Sequence, residues 1–271
     1  MATKTGKTPA SYYKNDLAID QNTNTGIDST TRAVHDGAGQ STAISLSDNV
    51  LSVQPVSSDT TGSMLVKNNA GNNILAVDTT NSKVLMGASQ VAANTQYALF
   101  GVSHATSSTY ADDTHYAIPF GPFDISLATV SMGSATSSSF NDTEPATSLT
   151  FTATAMDMVN YYWYIMDDIT IDRVVWWQGA DTASGPESTA AYLMGYTVDT
   201  TTNYSGGDLS SGVKLASSST VANQGYEQAY YNQMTIHNAD VDAGKVVLFT
   251  FAQGSESSDY TLKCTVKFHI R

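Results

Sequence analysis

Apolar positions in this chain come in short runs that alternate with polar residues, and turn-forming residues bound the runs. Between Ser41 and Gly87 the runs "AISL", "NVLSV", "SMLVK", "NILAV" and "KVLM" are separated by "SDN", "SSDTTG", "NNAGN" and "DTTNS". Asn, Asp and Gly at these joints suit tight turns and positive φ, so the stretch predicts hairpins. From about Tyr97 longer runs follow: "YALFGV", "FDISLATV", "SLTFTATA", "YYWYIM", "ITIDRVVWW", "AAYLMGYTV", "AYYNQMTI", "KVVLFTF" and "YTLKCTVKFHI". Aromatic and β-branched residues dominate them and no helical period interrupts. Eight or nine such strands predict an all-β fold whose larger part is a β-sandwich of jelly-roll type.

The last run has the cleanest alternation: Leu262, Cys264, Val266, Phe268 and Ile270 against Lys263, Thr265, Lys267, His269 and Arg271. One face is expected in the core and the other in water. Cys264 then reads as a small buried hydrophobe. The basic residues of the wet face read as a solvated surface or as a contact for an acidic neighbouring subunit.

Residues 1–40 are polar and aperiodic, and alone they could not offset their own ordering entropy. They are expected to form an extended amino-terminal attachment arm held by a partner. Residues 41–92 form a small β-hairpin region, and residues 93–271 the sandwich. A hairpin region of this size without disulfide or metal rarely supports a private core, and oligomerisation is a common remedy. Ile74, Leu75, Val77, Val84, Leu85 and Met86 place apolar groups on both faces of their strands, so they are the candidate oligomer contacts.

Charge removes several partner classes. Over 271 residues, 12 Lys+Arg against 25 Asp+Glu give a net charge of −13, and no Lys or Arg lies between Lys83 and Arg173. Such a surface repels nucleic acid and anionic membranes, because phosphate binding needs clustered cations. No apolar run is long enough to span a membrane, and "MATKTGKTPA" lacks the apolar stretch of a signal peptide.

Tests for chemistry fail at definable points. "GKT" at Gly6 to Thr8 lacks the upstream glycine of a phosphate loop, and no Gly-x-Ser-x-Gly or His-Glu-x-x-His occurs. The five histidines are dispersed, and "DQNTNTG" has calcium-loop oxygen spacing at Asp20, Asn22 and Asn24 but no acid at position twelve. "YADDTHY" and "IMDDITID" hold neighbouring acids that would point to opposite faces of a strand, which favours turns over a glycosidase pair. A non-enzymatic protein without metal or cofactor is the expectation. Among the aromatics, Tyr226, Tyr230 and Tyr231 lie in a polar setting and are candidates for glycan or partner contact.

The runs "NTNTGIDSTTRAVHDGAGQSTAISLSDNVLSVQP" and "GSMLVKNNAGNNILAVDTTNSKVLMG" resemble the amino-terminal half of structural proteins of tailed bacteriophages, marine ones in particular. There a phrase "strand, N-x-x-G-N, strand, V-D-T-T-N, strand" precedes a larger all-β domain. The resemblance covers about residues 20 to 90 and carries over no functional residue. It implies a virion component of fibre, spike or head-decoration type, usually a homotrimer, attached to other virion proteins by its amino terminus. Host-surface glycan recognition is the alternative, and a polysaccharide-degrading virion enzyme a weaker one. Assembly in the host cytoplasm would agree with a single reduced cysteine.

Overall fold

The computed structural model describes residues 16–20, 26–87, 89, 91–105, 114–121, 131–134, 144–150, 158–182, 188–218, 221–222, 228–254 and 258–271. The regular structure of these residues is antiparallel β, apart from a 3-10 turn at Val159–Tyr161. No helix among them is long and apolar enough to cross a membrane. The chain divides into two compact units, Met1–Asn94 and Thr95–Arg271.

In the first unit β1 (Leu17–Ile19), β2 (Arg32–Asp36), β3 (Ser41–Leu46) and β4 (Leu51–Val53) form a four-stranded sheet in chain order. A second such sheet comprises β5 (Met64–Lys67), β6 (Asn73–Asp78), β7 (Lys83–Met86) and β8 (Val91–Ala92). The segment 1–40, expected to be extended, therefore contributes two strands. β2 pairs with β3 because Asp36 closes a turn between them and Val34 is buried there. The rest of the predicted arm, residues 1–15 and 21–25, lies outside the described residues.

The two sheets contain one three-strand meander twice. β2, β3 and β4 start at residues 32, 41 and 51, and β5, β6 and β7 at 64, 73 and 83, each 32 residues later. Pairing moves with them: His35 opposite Ser41 becomes Lys67 opposite Asn73, and Leu46 opposite Leu51 becomes Asp78 opposite Lys83. Asp36 Oδ1 accepts the N–H groups of Ala38 and Gln40, both at 2.9 Å. Asn68 Oδ1 accepts those of Ala70 and Asn72, at 3.0 and 2.9 Å. Gly39 (φ +80°) and Gly71 (φ +85°) take the equivalent left-handed position, where a Cβ would be strained. Val34/Val66, Ala38/Ala70, Gly39/Gly71 and Asn49/Asn81 are the only identities between 32–53 and 64–85.

The phrase "VDTTN" has a similarly local explanation. Asp78 Oδ1 accepts the Asn81 N–H at 3.0 Å and Oδ2 accepts Asn81 Nδ2 at 2.8 Å. Thr79 Oγ1 and Ser63 Oγ lie 2.8 Å apart and tie the turn to the start of β5. Polar side chains thus stand in for a core at both ends of these strands.

The second unit has β9 (Thr95–Ala105), β10 (Thr114–Ile118), β11 (Ser131–Ser134), β12 (Trp163–Tyr164), β13 (Ile169–Thr182), β14 (Ser188–Val198) and β15 (Leu209–Ser217). It continues with β16 (Val221–Ala222), β17 (Gln228–Gln233), β18 (Thr235–Ile236), β19 (Asp240–Val241), β20 (Lys245–Gln253) and β21 (Ser258–Ile270). One sheet has the order β17-β13-β21-β9, with β19 also on β13. The other has the order β11-β10-β20-β14-β15-β18, with β12 on β20 and β16 on β14. Between them lies a core that includes Phe100, Trp176, Phe249, Phe251, Tyr260 and Cys264, its rings meeting edge-on or tilted. A second cluster with Met132, Met158, Tyr161, Tyr196 and Leu248 covers the opposite face of the larger sheet. Burial on both faces explains why "AAYLMGY" and "KVVLFTF" read as continuous apolar runs without alternation.

Three expectations are revised here. "AYYNQMTI" is two strands, not one: the chain leaves β17 on one sheet, turns at buried Met234, and enters β18 on the other. β10 and β15 were not expected from the pattern, since "THYAI" is short and "LSSGVKLAS" is rich in Ser and Gly. His269, expected in water, is buried, with Nδ1 3.0 Å from the Asp172 carboxylate. The predicted strand "FDISLATV" lies outside the described residues. Of "SLTFTATA" only the start is described, where Leu149 bridges Leu209.

Candidate functional site

Strand pairing assigns a face to each residue of the second small sheet, because residues directly opposite one another share a face. Met64, Val77 and Val84 make one row across β5, β6 and β7. Val66, Leu75, Met86 and Val91 make the next row across β5 to β8. These seven side chains on adjacent rows are all apolar. Met64, Val66, Val84, Met86 and Val91 are each between 39% and 53% exposed, and Leu75 and Val77 are half-buried. The opposite face carries Leu65, Ala76 and Leu85 in one row, with Asp78 opposite Lys83.

The six candidate contacts therefore divide between the faces. Leu75, Val77, Val84 and Met86 stand together on the exposed apolar face, whereas Ile74 and Leu85 point the other way. Met64, Val66 and Val91 complete that face and were not among the candidates. Their signal lay in cross-strand register, which one strand's alternation does not reveal.

The first small sheet has an analogous face. Val34 of β2, Ile44 and Leu46 of β3, and Leu51 and Val53 of β4 share it with Arg32, which stands opposite Leu46, and Ile19 of β1 lies opposite Val34. Val34 is buried by its neighbours, and Ile44, Leu51 and Val53 are exposed. Asp28 anchors the approach to β2: Arg32 donates to both its carboxylate oxygens, at 2.6 and 2.9 Å. This pairing, helped by the Thr30 N–H, lowers the Asp28 pKa to about 2.

The tyrosine candidates separate. Tyr226 lies outside the described residues. Tyr230 packs against the sandwich core from β17, opposite Gln178. Tyr231 is exposed opposite Trp177, the ring centroids 5.1 Å apart, and its hydroxyl accepts from Arg173 Nη2 at 2.8 Å. Of the neighbouring aromatics, Trp176 is 1% exposed and Trp177 46%, so the pair spans both faces of β13.

Groups with reactive potential sit in structural settings. Cys264 is fully buried and burial raises its thiol pKa well above the usual value, which suppresses the thiolate needed for nucleophilic chemistry. Tyr162 is pushed up to about 12 by burial, and its hydroxyl donates to the Gly207 carbonyl. Asp168 accepts the N–H of Ala243, distant in sequence, at 2.8 Å. Asp112 and Asp113 lie outside the described residues. Among the described residues no three His, Cys, Asp or Glu side chains are grouped so as to hold a metal ion.

Comparison of the chain with family models and with curated proteins finds no match in either.

Proposed function

We propose that this protein is a structural, non-enzymatic component of a tailed-phage virion, of fibre, spike or head-decoration type, that self-associates through its first unit and projects the sandwich. The observation that carries the assembly part is the exposed seven-residue apolar face of β5–β8. A contiguous apolar patch of this kind is often a functional contact surface. Five of its side chains expose on the order of 400 Å² of residue surface. That is about half of the roughly 800 Å² per partner that stable protein interfaces bury.

The duplicated meander supports the same reading, since a repeated unit that cannot bury its own face is stabilised by stacking on others. The strand orders of the second unit support a jelly roll. Counting β9, β10, β13, β14, β15, β17, β20 and β21 as strands one to eight, the sheets run one-eight-three-six and two-seven-four-five. This is the order produced by rolling up a long antiparallel ribbon, a virion and lectin architecture. The virion assignment, the homotrimer and attachment through residues 1–40 rest on the resemblance of residues 20 to 90 to phage structural proteins.

Light scattering on the purified full chain tests self-association, and immunogold labelling of virions tests location. An oligomeric mass at micromolar concentration and labelled particles are expected. A monomer at that concentration overturns the assembly reading.

A further inference from the structure

The outward face of the sheet β17-β13-β21-β9 joins cations and exposed rings in a strongly acidic chain. Register places Tyr97, Lys267 and Arg173 in one row and Gly101, Lys263, Trp177 and Tyr231 in another, with Leu99, Thr265, Val175 and Gln233 between them. Tyr97, Trp177 and Tyr231 are 63%, 46% and 48% exposed, and Arg173 and Lys263 are exposed too. No acid stands in these three rows. Arg173 is held against the Tyr231 hydroxyl, and Tyr231 meets Trp177 edge to face, so the cluster is positioned before any ligand arrives.

We infer that this face is a binding platform for an anionic polysaccharide, one bearing carboxylate or sulfate groups. A pyranose ring presents a flat C–H face that packs on an indole or phenol ring, and its hydroxyls need donors and acceptors close by. Trp177 and Tyr97 supply rings at opposite corners of the face. From strand and residue spacings they stand roughly 16 Å apart, the span of a short oligosaccharide. Thr265 lies between them for hydroxyls, and Gln233 stands on the next strand beyond Trp177. Arg173 and Lys267 supply the charge, the guanidinium in a fork that matches a carboxylate or sulfate.

Protein partners fit this face poorly. Lysine is depleted at the centres of protein interfaces, whereas here Lys263 and Lys267 occupy the middle strand of the face. Local cations govern contact despite the net charge, because distant charges are screened beyond about 8 Å at physiological salt. This inference is independent of the assembly reading, since it concerns the second unit alone.

The test is affinity electrophoresis of the full chain in gels containing polygalacturonate, dextran sulfate or neutral dextran, with circular dichroism to verify folding. Retardation by one or both polyanions and none by dextran is expected, and which polyanion retards identifies the carboxylate or sulfate source. Trp177→Ala and Lys267→Glu should each weaken retardation at least tenfold, while Lys214→Glu, outside this face, leaves it unchanged. Absence of retardation overturns the inference. So does a charge-only result, in which Lys267→Glu and Lys214→Glu weaken it equally and Trp177→Ala does not.

Discussion

Met86→Asp is the sharpest perturbation of the proposed assembly. Met86 sits inside the row Val66–Leu75–Met86–Val91 and is 53% exposed in the single chain. The isolated chain should barely register the change, since surface substitutions usually fall within about 0.5 kcal/mol. In an assembly closed over this face the same change loses about 1 kcal/mol of thioether burial. It also draws an unpaired carboxylate out of water, which costs several kcal/mol. About 4 kcal/mol per copy weakens association roughly a thousandfold. Size-exclusion chromatography with light scattering over a dilution series reads this as a shift from oligomer to monomer, with the thermal unfolding of the sandwich unchanged. Val213→Asp, at an equally exposed apolar site on the second unit, should leave the mass alone. Leu85→Asp, on the opposite face beside buried Ala76, should instead weaken the first unit itself. If Met86→Asp keeps the parent mass at equal concentration while folded, the apolar face is not the contact and the reasoning fails.

Three further outcomes are expected. Gly39→Ala and Gly71→Ala should each lower the stability of the first unit in urea by about 1–2 kcal/mol, because each forces a Cβ into the left-handed region; clearly unequal costs would contradict the equivalence of the two turns. Trp176→Ala should destabilise the sandwich by about 3–5 kcal/mol and Trp177→Ala, which loses its edge-to-face contact with Tyr231, by about 1 kcal/mol, read by denaturant unfolding, since only the first leaves a core cavity. The Asp28 carboxyl is depressed from 3.8 to about 2 in the folded chain, so its contribution is present above pH 3.8 and fades as pH falls through about 2; acid unfolding of Asp28→Asn should lack that component.

The all-β class and most strands were legible because their signals are local. Each small-sheet strand lies between turn residues that close it, and β21 alternates as a one-face-buried strand must. What escaped the sequence depends on distant partners. β14 and β20 are buried on both faces by two separate clusters, so no alternation marks which side chain meets which core. His269 reads as a wet-face residue until Asp172, on the neighbouring strand, is brought against it. The apolar face of β5–β8 was half visible: alternation sets Leu75 and Val77 apart from Ile74, and Val84 and Met86 apart from Leu85, but only register joins the two pairs on one face and adds Met64, Val66 and Val91.

The duplicated meander also shows how one backbone can serve two faces. Ile44 and Val53, apolar-face residues of the first copy, correspond by position to Ala76 and Leu85, on the opposite side of the second copy from its exposed patch. Yet Val34 and Val66 correspond and both stand on the apolar side. The difference lies in the turn-proximal pairing. The first copy shifts register between Ala33 and His35, the second between Val66 and Lys67, and a one-residue difference exchanges the faces of a strand. The Asx turn and its glycine therefore hold the meander's outline, while the shift selects which side is apolar. Polar side chains at the turns tie the strand ends of each thin sheet, and in the second copy the shift leaves one face wholly apolar across β5 to β8.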